Sequence, residues 1–172
     1  SAQAFSSKFT TEVQYFKLNV PVYYQAQRFS CNIDAARMAL AYRGVYVSTG
    51  SVHGALPKDS PPYDPAGPTW GNPYASYVGD INGNPKGYGV YWNPISNYIR
   101  NYRSTSVRTG WDRTSLLTEV GNGNPVIIWA HNGYSSSSNG PVGSNISWST
   151  PGGTSIYAIA GMHSFVVVGW HG

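Results

Sequence analysis

Ser30-Cys-Asn-Ile-Asp-Ala-Ala-Arg-Met-Ala-Leu-Ala-Tyr42 is the stretch whose reading decides the fold. Ser30 stands where a helix N-cap belongs, no glycine or proline interrupts the run, and Gly44 supplies a stop. Ile33, Ala36 and Leu40 fall on one side of such a helix, and Met38 and Ala39 widen its apolar surface. The helix therefore opens on Cys31, the single cysteine of the chain. Free N–H groups and the positive end of the macrodipole favour a thiolate at that position, and the thiolate is the nucleophilic form. The competing reading is a buried, inert thiol, the common fate of a lone cysteine. The helix start and the polar loop before it weigh for chemistry, and a partner has to decide.

The rest of the composition narrows the setting. The chain has 172 residues, 41% apolar, 15% aromatic and 10% charged, which is the size of one domain. Many aromatics with few charges exclude a disordered chain, and the shortage of Glu, Lys and Leu excludes a coiled coil. One cysteine excludes an intrachain disulfide framework and any multi-thiolate metal site. The net charge is +4, but the basic residues are scattered from Lys8 to Arg113 with no run or stripe. That dispersion argues against a nucleic-acid partner and fits a mild attraction to anionic cell-wall polymer or membrane surface. The apolar runs Pro125–Ala130 and Phe165–Trp170 are strand-sized and too short for a membrane span. Abundant Ser, Asn, Gly, Tyr and Trp, with little Lys and Glu, gives the look of an exported bacterial protein, so an extracellular or cell-surface location is expected.

Along the chain, residues 1–17 read as a polar lead-in and 18–172 as one domain. Leu18–Tyr24 alternates as a short strand, with Pro21 favouring an edge. A second helix follows Ser48 or Ser51 and ends at Leu56-Pro57. From Lys58 to Trp92 six prolines and no sustained period predict a long ordered loop, fastened by its aromatic residues. Asn93-Pro94 predicts a helix start running to Tyr102, and Asp112 caps a helix over 113–120. A strand at Val126–Ala130, a loop over 132–147 and a terminal strand from His163 to Trp170 complete the expectation. Helices first and strands mainly later predict an α+β domain, its N-terminal Cys-bearing helix packed on an antiparallel sheet.

A thiol nucleophile needs a base. His163 opens the apolar strand and follows Cys31 by 132 residues, the wide Cys-then-His order of papain-like enzymes. His53 lies on a helix expected to be solvated, and His131 ends a strand that could line the same cleft. His163 and His171 would lie about 26 Å apart on one strand, too far to share a metal ion. Gln25, six residues before Cys31, places an amide where an oxyanion could be held. Asp59, Asp64 and Asp80 show no glycosidase spacing. Asp80, Asn82 and Asn84 alternate as in a calcium loop but lack its closing glutamate, so a turn is expected there. No metal or other cofactor is expected. His131, Trp70, Asp80 and Tyr88 are the residues expected to touch substrate.

The chain resembles a known family through an ordered set of segments. They are Leu18–Gln25 with Ser30-Cys31, Leu56-Pro-Lys-Asp59, Trp70-Gly-Asn-Pro73, Tyr77-Val-Gly-Asp80, Gly87–Tyr91, Gly123–Trp129 and His163–Trp170. In this order they resemble papain-fold cysteine peptidases of the bacteriocin-processing-like branch, cysteine peptidase family thirty-nine. The resemblance implies a papain-like fold, Cys31 as nucleophile, His163 as general base and acid, and Gln25 in the oxyanion hole. Members place an Asp about sixteen residues after the His to orient it. The sequence as given ends nine residues after His163, so the third triad residue is not evident in it. The same ending leaves the terminal strand with an exposed edge, on which a second copy could pair to form a homodimer. The expected activity is thiol-dependent hydrolysis of a peptide or amide bond, with a peptide or protein as partner. The alternative is a catalytically impaired binding module on the same fold, holding a peptide or cell-wall ligand with the aromatic segment.

Overall fold

The computed structural model describes residues 15–59, 62–131 and 141–172. In chain order the elements are β1 (Tyr15–Lys17), α1 (Cys31–Tyr42), α2 (Thr49–Ala55), β2 (Lys58–Asp59), β3 (Tyr77–Gly79), β4 (Gly87–Gly89) and α3 (Trp92–Arg100). They continue with α4 (Arg113–Gly121), β5 (Val126–His131), β6 (Asn145–Ser149), β7 (Ser155–Ile159), β8 (Met162–Val167) and β9 (Gly169–His171). The strand pairs β1–β9, β3–β4, β5–β8 and β6–β7 are antiparallel, and β2–β3 is parallel. The expected α+β class is the observed one.

Helix α1 has the bounds its sequence predicts, and Ile33, Ala36 and Leu40 are buried along it. Gly44, at φ +78°, takes the left-handed conformation that ends the run, its N–H donating to Ala41 O at 2.9 Å. Ser30 occupies the N-cap position without capping any N–H. Its hydroxyl instead donates to Asp34 Oδ2 at 2.6 Å and approaches Gln27 O at 3.0 Å. The other Asp34 oxygen accepts from Arg37 Nη1 and Thr49 Oγ1, both at 2.8 Å. Arg37 Nε also donates to Val47 O at 2.9 Å, and its guanidinium lies 4.6 Å from the Tyr23 ring centroid. One buried carboxylate thereby ties the loop before α1, the helix and the start of α2 into a unit.

Three apolar clusters hold the elements together. Ile33, Leu40, Val52, Tyr77, Val90 and Ile95 fill the space among α1, α2, α3 and β3. Trp70, Tyr88, Tyr91 and Trp148 form a mainly aromatic second core with Ile156 of β7. The Trp148 indole donates to Gly71 O at 2.7 Å, and the Trp70 and Trp148 rings stand 5.5 Å apart. Leu18, Val20 and Val120 pack with Phe16, Val126, Val166 and Trp170 in a third.

The structure departs from the sequence expectation in several places. Leu18–Tyr24 is not a strand: Leu18 N–H donates to Val168 O at 2.7 Å, but Val20 N–H turns back to Leu18 O. Pro21 has no N–H to continue a ladder, and Val22 and Tyr24 point to solvent. Pairing moves upstream instead, where Tyr15–Lys17 of the expected lead-in lines up against β9. One edge of the last strand is thus covered within the chain. The terminal strand is also divided, with Val168 between β8 and β9. The proline-rich loop carries the short strands β2, β3 and β4, too brief to show a period in the sequence. Helix α3 starts at Trp92 with Tyr91 as N-cap, which puts Pro94 third in the helix. Pro94 costs nothing there, because the first four N–H groups have no intrahelical acceptor. The β6–β7 hairpin, whose Ile146, Trp148, Ile156 and Ala158 face inward, lies partly in the expected 132–147 loop, of which 132–140 fall outside the described residues. Helices α2 and α4 agree with expectation, with Ser48 and Asp112 accepting from Ser51 N–H and Ser115 N–H.

The Asp34 cluster sets the stability of the N-terminal half. Asp34→Ala leaves the Arg37 guanidinium without its carboxylate partner and should cost about 3 kcal/mol. Urea denaturation measures this, and a loss under about 0.5 kcal/mol would refute the central role given to Asp34.

Candidate active site

Cys31 is the first residue of α1 and is 9% exposed. Helix α1 packs on β8, and the sulfur lies against Ser164, the residue that follows His163. Burial pushes the Cys31 thiol above its ordinary value of 9.0, and the nearby Asp34 carboxylate adds to the rise. The Ser164 N–H, the Asn32 N–H and the Ser164 hydroxyl pull the other way without cancelling it. The lowered value expected from the helix terminus is therefore corrected. A macrodipole contributes about 0.3–1 kcal/mol, under one pKa unit, whereas full burial shifts a group by up to about 3–5 units.

His163 is half-buried on β8, paired with Ala130 of β5. Burial lowers its pKa from the ordinary 6.5. Neighbours on a strand point to opposite faces, so Ser164 shares a face with Trp129 opposite it. His163 shares the other face with Phe165, the two ring centroids 4.8 Å apart. Among the described residues no hydrogen bond joins the Cys31 thiol to the His163 ring. Each group is shifted toward its neutral form, the thiol by burial upward and the imidazole by burial downward.

Gln25 is exposed, and its Nε2 donates to Gln27 O at 2.7 Å and Arg28 O at 2.8 Å. Both amide hydrogens thus brace the loop that leads into Cys31. His131 ends β5 as an exposed residue, and a Cβ added at Gly143 would lie 3.2 Å from its ring. Trp70 and Tyr88 are 2% and 4% exposed inside the aromatic core. Expected as substrate contacts, they instead fasten the long segment to the β6–β7 hairpin, with the Tyr88 hydroxyl 2.6 Å from that of Tyr91. The cause is their size: such rings gain most from full burial. Asp80 accepts N–H groups of Asn82 and Asn84 at 2.8 and 3.1 Å, which hold its carboxyl below the usual range. It acts as a turn former here. His53, expected to be solvated, packs edge-on against Tyr77 with ring centroids 4.8 Å apart. Burial, and then Lys58, lower its pKa. A concavity of about 840 Å³, lined by Leu40, Ile99, Leu116 and Ile127, sits toward the far end of α1 from Cys31.

Two residues beside the thiol escaped the sequence reading. Asn32 is fully buried and Ser164 is 5% exposed, and among the described residues neither side chain has a hydrogen-bond partner. The available signal was a polar residue at the head of the apolar run Phe165–Val168.

The model of the Peptidase_C39 like family matches residues 17–172. The chain belongs to that family. A crystal structure described as a C39-like peptidase from Bacillus anthracis superposes with a TM-score of 0.73 at 24% identity, covering 91% of this chain and 78% of that one. This likeness supports the fold. Comparison with curated proteins gives no match. Family membership suggests cysteine-peptidase-type activity and a peptide substrate. Among the described residues no helix is long and apolar enough to cross a membrane.

The thiol environment is directly measurable, because Cys31 is the only cysteine. At about pH 8 iodoacetamide should alkylate it more slowly than an unstructured peptide thiol, with the rate still climbing above pH 9.0. A rate that levels off below about pH 7 would contradict the raised value.

Proposed function

We propose that the protein hydrolyses peptide or amide bonds through a Cys31–His163 pair. The observation that carries this reading is the placement of Cys31 at the N-terminus of α1, pressed against β8 beside the residue that follows His163. Because both groups rest neutral, His163 works as a general base during attack. The His163 ring, which rests on the face of β8 opposite Ser164 and without a bond to the thiol, has to swing to the sulfur, where it takes the Sγ proton as sulfur bonds to the carbonyl carbon. The protonated ring then gives that proton to the leaving amine, and a thioester remains on Cys31. Water, deprotonated by the same ring, cleaves the thioester and restores the thiol.

The oxyanion formed at each attack needs donors. The Cys31 N–H at the helix start is one, and the Gln25 amide is the second once one of its N–H groups leaves a loop carbonyl. That release makes the loop over Gln25–Arg28 the moving part of the site.

Cys31→Ala and His163→Ala should each abolish hydrolysis of a peptide library. Gln25→Ala should lower kcat by about 10²–10³. Hydrolysis that survives Cys31→Ala would overturn the reading. The lowered His163 value also fixes the acid limb of the pH profile. The neutral base persists below pH 6.5, so kcat/KM should fall only under that point. A limb centred above 6.5 would mean that a different group acts as base.

A second reading, a binding module without turnover, is favoured by the neutral thiol and by the Gln25 amide held in its loop. It predicts that Cys31→Ala leaves peptide affinity unchanged while the parent hydrolyses nothing.

A further inference from the structure

Ser164 is the one polar side chain of β8 on the face that meets α1, and its hydroxyl is buried without a partner. An alanine at that position would pack among the same neighbours with no unsatisfied group. A buried hydroxyl without a partner is a cost unless another state of the site engages it. We propose that the Ser164 hydroxyl is the donor reserved for the Cys31 thiolate, idle while sulfur holds its proton and engaged when that proton passes to His163. The inference rests on the reading of Cys31 as the nucleophile.

The local chemistry supports this assignment. A neutral thiol is a weak acceptor, so a nearby hydroxyl gains little from it, whereas a thiolate makes a charge-assisted bond. Helix α1 packs on β8 here, and the Ser164 hydroxyl lies beside the sulfur, buried and with its own donor unspent. Among the described residues, the charged and titratable groups on the elements packed around the sulfur offer no substitute. Asp34 on α1 disfavours the anion. Tyr77 on β3 spends its hydroxyl on Phe29 O at 2.7 Å. His163 lies on the other face of β8 and, in the proposed reaction, is the base that receives the proton. Asn32, the other unpartnered side chain, is pressed against β4, where a Cβ on Gly89 would come within 2.7 Å of its Nδ2. When the proton leaves, sulfur keeps its electron pair, the ring gains one proton, and the Ser164 O–H turns to the new charge.

The test is the alkylation rate of Cys31 by iodoacetamide between about pH 7 and 9 in the parent, Ser164→Ala and Ser164→Thr. Loss of a donor to a charged acceptor predicts that Ser164→Ala reacts about tenfold more slowly across that range, one unit of thiol pKa. Ser164→Thr, which keeps the hydroxyl, should stay within about threefold of the parent. A purely structural Ser164 predicts the reverse, since removing its oxygen opens space beside the sulfur. An equal or faster rate in Ser164→Ala therefore overturns the proposal. The readout needs no turnover, so it separates this inference from the hydrolase reading even in a protein that cleaves nothing.

Discussion

The buried Asp34 carboxylate is the constraint on which the N-terminal half depends. It sits one turn into α1, and each of its oxygens is engaged, by Ser30 on one side and by Arg37 and Thr49 on the other. A charge so deep in the protein is tolerable only when fully partnered. Those partners lie in three successive segments of chain, so satisfying the charge fixes where the helix begins. The nucleophile candidate is the first residue of that helix. The same carboxylate stands close enough to oppose a thiolate at Cys31. The interaction that positions the thiol thus also restrains it.

That restraint bears on how chemistry could proceed. A preformed thiolate–imidazolium pair would need a lowered thiol and a raised imidazole, but burial pushes the thiol up and the imidazole down. On the proposed reading, a neutral Cys31 and His163 keep the thiol from indiscriminate reaction and leave ionisation to coincide with substrate attack. Gln25 is held back in a comparable way, with its amide committed to the loop. On that same reading, activity requires a rearrangement that frees the Gln25 amide, and it runs through the loop between Gln25 and Cys31.

The sequence was legible where a single element carries its own signals. Helix α1 could be read to its last residue, and Ser48 and Asp112 marked their helices because caps are local hydrogen-bond chemistry. Short strands were not legible: β2, β3 and β4 are two or three residues each, below the length at which alternation shows. The β6–β7 hairpin did alternate, with Ile146 and Trp148 inward, but its serine-rich outer face masked the pattern. Trp70 and Tyr88 have side chains suited to a groove wall, but residue type does not tell a groove wall from a core.

By itself the sequence determined the α+β class, the helix that opens on Cys31, and the order of segments that marks the family. These rest on periodicity, capping and motif order, all of which are properties of neighbouring residues. Tertiary structure decided the state of the site: that burial outweighs the helix dipole at Cys31, that Asp34 is anchored by three segments, and that Ser164 and Asn32 lie unpartnered beside the sulfur. Each of these depends on how much water is removed from a group and on which distant residue replaces it. Desolvation has no signature along the chain, because it is set by the residues that fold over a position and not by those that flank it.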